Sequence, residues 1–108
     1  MSDSQSGLER QYKVWANVVD TAFTMYPDGA FILHTGDHVD HGDNFHHWKW
    51  LLNTAAPNLM NTAYMPTAGN HEEHGTFALQ TNFLLPSHPE QDEETGTYYS
   101  FEYNNALF

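Results

Sequence analysis

The chain lacks cysteine and has very little lysine or arginine, and both shortages restrict what it can do. Without cysteine, disulfides and thiolate metal sites are excluded. Arg10, Lys13 and Lys49 face 14 acidic residues, so the net charge is −11. Because nucleic-acid binding depends on basic side chains that neutralise phosphates, we expect no nucleic-acid-binding patch. A phosphate ester would also be repelled unless bound metal reverses the local charge.

Long apolar runs are also missing. No run approaches the roughly 18 apolar residues of a membrane span, so we expect no membrane-spanning segment. Hydrophobic residues nevertheless form 40% of the 108 residues and aromatic residues 15%, which is enough for the core of one small domain. Eight histidines are many for this length, and they are the main remaining source of cationic or metal-binding side chains.

The order of the predicted elements indicates an α/β fold. Ser6 and Glu9 fit a capping box that begins a helix, which Pro27-Asp28-Gly29 ends. A strand over residues 30–34 follows, then a helix capped by Asp43 or Asn44, and a second strand over residues 62–67. Strand–helix–strand order predicts a parallel sheet. Apolar side chains recur every three or four residues along both helices, which predicts buried faces formed by Leu8, Tyr12, Trp15, Val19, Ala22 and Phe23, and by Phe45, Trp48, Leu51, Leu52 and Ala55.

The remaining segments are shorter. We predict that Pro57 ends the second helix, that residues 76–84 form a short helix, and that residues 86–95 form an acidic loop. Residues 97–103 and 106–108 read as a hairpin with its turn at Asn104-Asn105. The chain begins as if at the end of a strand and ends within an apolar run. We interpret both ends as cuts through a larger domain.

Polar motifs follow both predicted strands. Gly36-Asp37-His38-Val39-Asp40-His41-Gly42 follows the first, and Gly69-Asn70-His71-Glu72 follows the second. Because ligands bind beyond the carboxyl ends of strands in open α/β sheets, we expect Asp37 and Asn70 to converge. Asp3 joins them if Met1 and Ser2 end a strand. These hard oxygen donors suit Mn, Fe, Mg or Zn ions.

This pair of motifs resembles the calcineurin-like metallophosphoesterases, which include the purple acid phosphatases. Asp3-Ser4-Gln5 resembles the family's first motif, Asp-x-His, with Gln5 in the histidine position. The run from Tyr98 to Phe108 resembles the hairpin that follows Asn-His-Glu in bacterial members similar to purple acid phosphatases. The resemblance implies that residues 1–108 are the N-terminal portion of the catalytic domain, part of a four-layer α/β/β/α sandwich that is incomplete at both ends.

The resemblance also implies roles for individual residues. Phosphate esters would be hydrolysed by a metal-bound hydroxide in a dinuclear site holding two ions, for which Fe, Mn or Zn are expected. Asp37 would bridge the two metals, while Asp3 and Asn70 would each bind one. His71 would stabilise the transition state and protonate the leaving oxygen, with Asp40 orienting it. A second group would contact substrate or support the ligands: Gln5, His38, His41 and His74.

The sequence departs from the family at three places. Asp40 stands where purple acid phosphatases have their colour-giving tyrosine, so we expect no purple charge-transfer band. His41 replaces an arginine of the Ser/Thr phosphatases, which argues against that subtype. The later histidine ligands, including a Gly-His-x-His motif, are missing, and only His88 follows His74. The resemblance to secreted phosphatases favours an extracellular or cell-envelope location.

Plainer interpretations stay open beside these roles. Asp37 and Asn70 could be turn residues, Asp40 a solvated acid and Asp3 a frayed terminal residue. His46 and His47 are expected at the surface, because neighbouring helical positions do not share a face, and the tryptophans are expected in packing. The alternative function is a non-catalytic metal-binding or interaction fragment. Unfinished sheet edges further predict that the isolated chain self-associates.

Overall fold

A computed structural model describes residues 1–73, 78–79, 82–83, 85 and 99–108. The helices are α1 (Tyr12–Met25), α2 (Phe45–Thr54) and α3 (Ala56–Leu59). The strands are β1 (Phe31–His34), β2 (Ala63–Pro66), β3 (Glu102–Tyr103) and β4 (Ala106–Leu107). β1 and β2 pair in parallel, with Phe31 opposite Ala63 and His34 opposite Pro66. The mixed helices and strands with a small parallel sheet confirm the predicted α/β class.

The N-terminal segment runs beside β1 on the side away from β2. The Met1 nitrogen donates to the Leu33 carbonyl at 2.7 Å, and the Thr35 nitrogen donates to the Met1 carbonyl at 2.9 Å. This alternation is the hydrogen-bond pattern of parallel strands. Asp3 continues the contact by donating its N–H to the Gly36 carbonyl at 3.3 Å. Asp3 therefore lies at the carboxyl edge of β1, as its predicted position requires.

The core joins α1 and α2 to the sheet through large aromatic side chains. Trp15 of α1 packs edge-on against the His34 ring, with centroids 5.4 Å apart. Trp48 of α2 is fully buried and donates its indole N–H to the Gly42 carbonyl at 2.8 Å. These contacts confirm the packing role predicted for both side chains. Phe45, predicted to be buried, is 53% exposed, because it is the first residue of α2 and precedes the buried face.

Two predicted helix boundaries are wrong. Ser6 does not cap α1: a single 3-10 turn over Glu9–Gln11 precedes that helix. The Ser6 hydroxyl accepts the Leu8 N–H at 3.1 Å instead. The Tyr12 hydroxyl donates a hydrogen bond to the Ser6 carbonyl at 3.0 Å. Pro57 does not end α2 either. It lies in the first turn of α3, where its missing N–H costs nothing.

The predicted cap of α2 and the predicted hairpin agree with the structure. The Asn44 side chain accepts the His46 N–H at 3.0 Å. β3 and β4 pair antiparallel, with Asn104 in the turn at a φ of 55°. The Phe31 ring of β1 meets the hairpin, its centroid lying 5.3 Å from those of Phe101 and Phe108.

Several predictions for the later chain cannot be compared with the structure. The acidic loop over residues 86–95 and the beginning of the strand over residues 97–103 lie outside the described residues. Of the helix predicted over residues 76–84, Ala78, Leu79 and Asn82 are described and are helical. No helix in the described part of the chain is long and apolar enough to span a membrane.

Candidate active site

The buried carboxylate of Glu72 ties together the loops that follow β1 and β2. Its Oε2 accepts the N–H groups of Asp37 and Gly69, each at 2.9 Å. Its Oε1 accepts those of His38 at 2.9 Å and Val39 at 3.2 Å. A buried charge is costly unless hydrogen bonds replace its hydration, and charge-assisted bonds from backbone N–H groups are strong. One side chain therefore fixes both motif loops.

Glycine allows these two loops to approach each other closely. Gly36 has a φ of +105°, which L side chains rarely adopt, and a Cβ there would lie 2.7 Å from the Gly69 Cα. A Cβ on Gly69 would in turn overlap the nitrogen and the carboxylate of Asp37. Glycine is the residue that meets both demands. The two motif glycines consequently serve to bring the loops into contact.

The two loops bring Asp37, Asp40 and His71 together. Oδ1 of Asp37 accepts the backbone N–H of His71 at 3.0 Å. The His71 ring donates from Nδ1 to the backbone carbonyl of Asp40 at 2.8 Å, while the Asp40 carboxylate lies 3.8 Å from the same nitrogen. Asp40 thus contacts the His71 ring chiefly through its main chain. Because Nδ1 carries the donated proton, Nε2 is the nitrogen that gains or loses a proton.

The environment of His71 favours its protonated form. The hydrogen bond to the Asp40 carbonyl is the largest cause and raises the pKa of His71 above its ordinary value. Burial opposes this effect as the second-largest cause, and the negative charges of Asp37, Asp40 and Glu72 add further raising effects. His71 is about a third exposed, so its ring can be reached from solvent. The geometry therefore presents an accessible imidazole next to two carboxylates.

Four oxygen-bearing side chains belong to the segments that meet at the sheet edge. Asp3 and Gln5 lie in the N-terminal segment, Asp37 follows β1, and Asn70 begins the 3-10 turn Asn70–Glu72. The Gln5 N–H donates to the Asp37 carbonyl at 3.1 Å. Its Oε1 is buried and accepts no hydrogen bond within the described part of the chain. An unpaired buried amide oxygen suits a cation ligand, since buried polar atoms normally have partners.

The fit to a metal cage is partial. Among the described residues, no group of three or more His, Asp or Glu side chains is placed to hold a metal ion. Two carboxylates and two amides are available at this edge instead. Their oxygens match the chemistry of hard divalent ions. The match to a metal site is therefore one of ligand chemistry.

The predicted supporting histidines differ widely in position. His38, predicted to contact substrate or support the ligands, is fully buried, so its ring does not reach the surface. Its Nε2 donates to the Thr67 carbonyl at 2.8 Å, and its Nδ1 accepts the Tyr64 hydroxyl at 2.9 Å. His41 is exposed, with Nε2 3.6 Å from the Asp40 carboxylate. His74 lies outside the described residues.

The two histidines predicted at the surface of α2 differ in their exposure to solvent. His46 is exposed, as predicted. His47 is only 5% exposed, so the prediction for it is wrong. Its ring stacks on Trp50 with centroids 5.2 Å apart, and its Nδ1 accepts the His41 N–H at 3.3 Å. Contact with the loop after β1 turns this position inwards.

Sequence reasoning missed His34, Tyr64 and the role of Glu72. The His34 ring stacks on His38 with centroids 4.1 Å apart, and its Nε2 donates to the Ser4 hydroxyl at 3.1 Å. Burial lowers the pKa of His34 to about 3, so the ring is neutral at pH 7. The sequence signal that could have identified His34 and Glu72 is their position. His34 ends an apolar strand, and Glu72 ends the second motif.

The family model of the calcineurin-like phosphoesterases matches residues 1–107. No curated protein and no solved structure matches significantly. The matched range includes the N-terminal segment and both loops joined by Glu72. The chain therefore belongs to the calcineurin-like phosphoesterase family, whose chemistry is metal-dependent hydrolysis of phosphate esters.

Proposed function

We propose that this chain contributes to a dinuclear metal site that hydrolyses a phosphate monoester or diester. Asp37 would bridge the two ions, with Asp3 binding one and Asn70 the other. The observation that carries the proposal is the hydrogen-bonded arrangement of Asp37, Asp40 and His71 around the buried Glu72. The proposal is supported by the Asp37 carboxylate and an accessible imidazole lying on loops that one buried acid holds in place.

His71 is the group proposed to act on the substrate. Divalent ions, when bound, supply a nucleophile at neutral pH and neutralise phosphate charge. The Asp40 carbonyl holds Nδ1 of His71, so Nε2 is the nitrogen that would face a phosphoryl oxygen. The raised pKa favours a protonated ring, which can stabilise developing negative charge and give a proton to the leaving oxygen. Its positive charge also offsets the acidic surroundings.

Within the family, we propose a bacterial member similar to the purple acid phosphatases. The β3–β4 hairpin packed on Phe31 supports this subtype, because such a hairpin follows the second motif there. Asp40 stands in the place of the tyrosine that gives these enzymes their colour. The iron-loaded chain is therefore expected to show no visible charge-transfer band, which absorption spectroscopy measures directly.

A second candidate is a metal-binding fragment without turnover. The partial ligand set favours it, because no group of three or more His, Asp or Glu side chains in the described ranges is placed to hold a metal. Such a chain would bind ions weakly through the oxygens at the sheet edge. It would leave phosphate esters unchanged.

Hydrolysis of p-nitrophenyl phosphate and bis(p-nitrophenyl) phosphate after loading with Mn²⁺ tests the proposal. We expect metal-dependent turnover that falls about 100-fold or more in His71→Asn, the usual contribution of a general acid. Asp37→Asn should lose both turnover and bound metal. His46→Asn, on the exposed side of α2, is the matched control and should be unaffected.

The outcomes separate the two candidates. Metal binding without turnover supports the second candidate, the metal-binding fragment. Turnover that survives His71→Asn at the wild-type rate would remove His71 from the catalytic role. Circular dichroism of each variant shows whether the fold is retained.

A further inference from the structure

The position of the His71 ring depends on a short stretch of backbone in the loop after β1. The Asp40 carbonyl accepts the ring Nδ1–H of His71 at 2.8 Å, and the Gly42 N–H donates to the His71 carbonyl at 3.0 Å. A group that holds these two peptides therefore also holds the ring. On the Gly42 side, the buried indole of Trp48 is such a group, because it donates to the Gly42 carbonyl at 2.8 Å.

On the Asp40 side, the hydroxyl of Tyr12 takes the corresponding place. Tyr12 is the first residue of α1 and is fully buried. Its hydroxyl donates to the Ser6 carbonyl at 3.0 Å and accepts the Ser6 N–H at 3.4 Å. Burial raises the pKa of Tyr12 to about 12, and hydrogen bonds from the backbone of Ser6 and Asp40 oppose that rise. The hydroxyl is therefore protonated at neutral pH and joins the N-terminal segment to the Asp40 peptide.

The N-terminal segment also packs against the side chain of Asp40. Gly7 follows Ser6, and a Cβ on Gly7 would lie 3.1 Å from Oδ2 of Asp40. The same segment carries Asp3 at the sheet edge, where Asp3 donates its N–H to the Gly36 carbonyl. The segment and the residue that holds His71 are thus in direct contact, with the Tyr12 hydroxyl at their junction.

Building on the proposed function, we infer that Tyr12 is a positioning residue for the reaction, whose hydroxyl fixes the Asp40 peptide and thereby the orientation of the His71 ring. Tyr12 is buried, so it acts through Asp40 and not on the substrate. Removing the hydroxyl takes a partner from the Asp40 peptide and from the Ser6 carbonyl, and unpaired buried groups are costly enough to make the loop shift. Nε2 of His71, the nitrogen proposed to face a phosphoryl oxygen, would then lose its fixed direction.

Tyr12→Phe tests the inference because it removes the hydroxyl and keeps the buried ring. The first measurement is steady-state hydrolysis of bis(p-nitrophenyl) phosphate by the full chain loaded with Mn²⁺. We expect kcat to fall by about tenfold or more with KM unchanged, since misplacing an acting group can slow a reaction by up to about 100-fold. Tyr26→Phe, the same change at an exposed position just after α1, is the matched control.

The second measurement reports on the His71 ring without turnover. NMR of the ring nitrogens at alkaline pH, where the ring is neutral, shows which nitrogen carries the proton, and His71→Asn identifies the signals by their loss. We expect the Nδ1–H tautomer in the wild type and in Tyr26→Phe, and an increased share of Nε2–H in Tyr12→Phe. A loss of core packing alone would lower the free energy of unfolding, which urea denaturation measures, and would leave this tautomer unchanged.

The outcomes separate the inference from the proposed function. An unchanged kcat in Tyr12→Phe, or a reduced kcat with the wild-type tautomer, overturns the inference and leaves the proposed function standing. If the wild type does not hydrolyse the ester, the proposed function fails, while the tautomer measurement still decides whether Tyr12 fixes the His71 ring. A wild-type ring that carries its proton on Nε2 overturns the inference in either case.

Discussion

The Glu72 carboxylate accepts the backbone N–H of Asp37 across 2.9 Å, although 35 positions separate the two residues in the chain. The same oxygen accepts the N–H of Gly69, just ahead of Glu72 in its own loop. The acid that closes the second motif therefore shapes the first. Its side chain is fully buried and fixes the conformation of both loops by accepting their backbone N–H groups.

Replacing Glu72 by Gln tests this role. The amide has one accepting oxygen, so its NH₂ group would face backbone donors and leave them unpaired. We expect the free energy of unfolding to fall by about 3 kcal/mol, as for a buried hydrogen-bonding group that loses its partners. Urea denaturation measures the change. Glu73→Gln, at the exposed neighbouring position, is the control, and an equal loss in both variants would contradict the role of Glu72.

Gly36→Ala should disrupt the contact between the two loops. The new Cβ would lie 2.7 Å from the Cα and the nitrogen of Gly69, and the φ of +105° would be strained. We expect a loss of stability of at least about 2 kcal/mol, together with lost metal binding. At Gly29 the nearest atoms to an added Cβ are 3.1 and 3.2 Å away, so Gly29→Ala should be milder. Thermal melting compares the two, and equal melting temperatures would count against the contact.

The stability of the chain should fall in acid because His34 is buried as the neutral ring. Its pKa is lowered from 6.5 to about 3, so the unfolded chain binds more protons between these pH values. The stabilising contribution is complete above about pH 6.5 and is lost as the pH falls towards 3. The slope should reach at most about 1.4 kcal/mol per pH unit for this proton.

His34→Gln removes the titrating ring and should make the pH dependence shallower. Buried His38, whose pKa is also lowered by burial, should leave part of the slope. Denaturation at a series of pH values measures it. The exposed His46→Gln serves as the control, and a wild-type slope in His34→Gln would refute this explanation.

Asp40→Ala should affect hydrolysis less than His71→Asn. The substitution removes the carboxylate at 3.8 Å but leaves the carbonyl that accepts from His71 at 2.8 Å. We expect a loss of about tenfold, in the range for groups that orient another residue. Steady-state kinetics gives the ratio, and NMR titration of His71 should show a pKa that stays raised. Asp43→Ala in the same loop is the control, and equal losses in Asp40→Ala and His71→Asn would mean that the carboxylate orients the ring.

The isolated chain is expected to self-associate through the outer face of α1. Val14, Val18 and Met25 are exposed by 65%, 49% and 64% although they are apolar, and they lie along one helix. Val14→Glu with Val18→Glu should lower the mass measured by light scattering. Asn17→Glu adds a charge at an exposed position of the same helix and should have little effect. A monomeric wild type would contradict the expectation.

The α/β class and the meeting of the two motif loops were predictable because strand periodicity and glycine position carry that information locally. The burial of His38 and His47 was not, because a polar residue type predicts exposure until its partners are known. The error at Ser6 has a related cause. Its capping-box pattern is a local signal, but the Tyr12 hydroxyl donates to the Ser6 carbonyl, a contact that the pattern does not contain. The convergence of four N–H groups on Glu72 likewise depends on contacts far apart in the chain.

The parallel pairing of β1 with β2 also has a kinetic consequence. Phe31 pairs with Ala63 although α2 and α3 lie between them in the chain, so forming the sheet requires the chain to close a long connection. Closing such connections costs entropy before any contact compensates it, and non-local contacts slow folding. The loops joined by Glu72 should consequently form late in folding. Their backbone amides should then exchange hydrogen with solvent as one cooperative unit with the sheet.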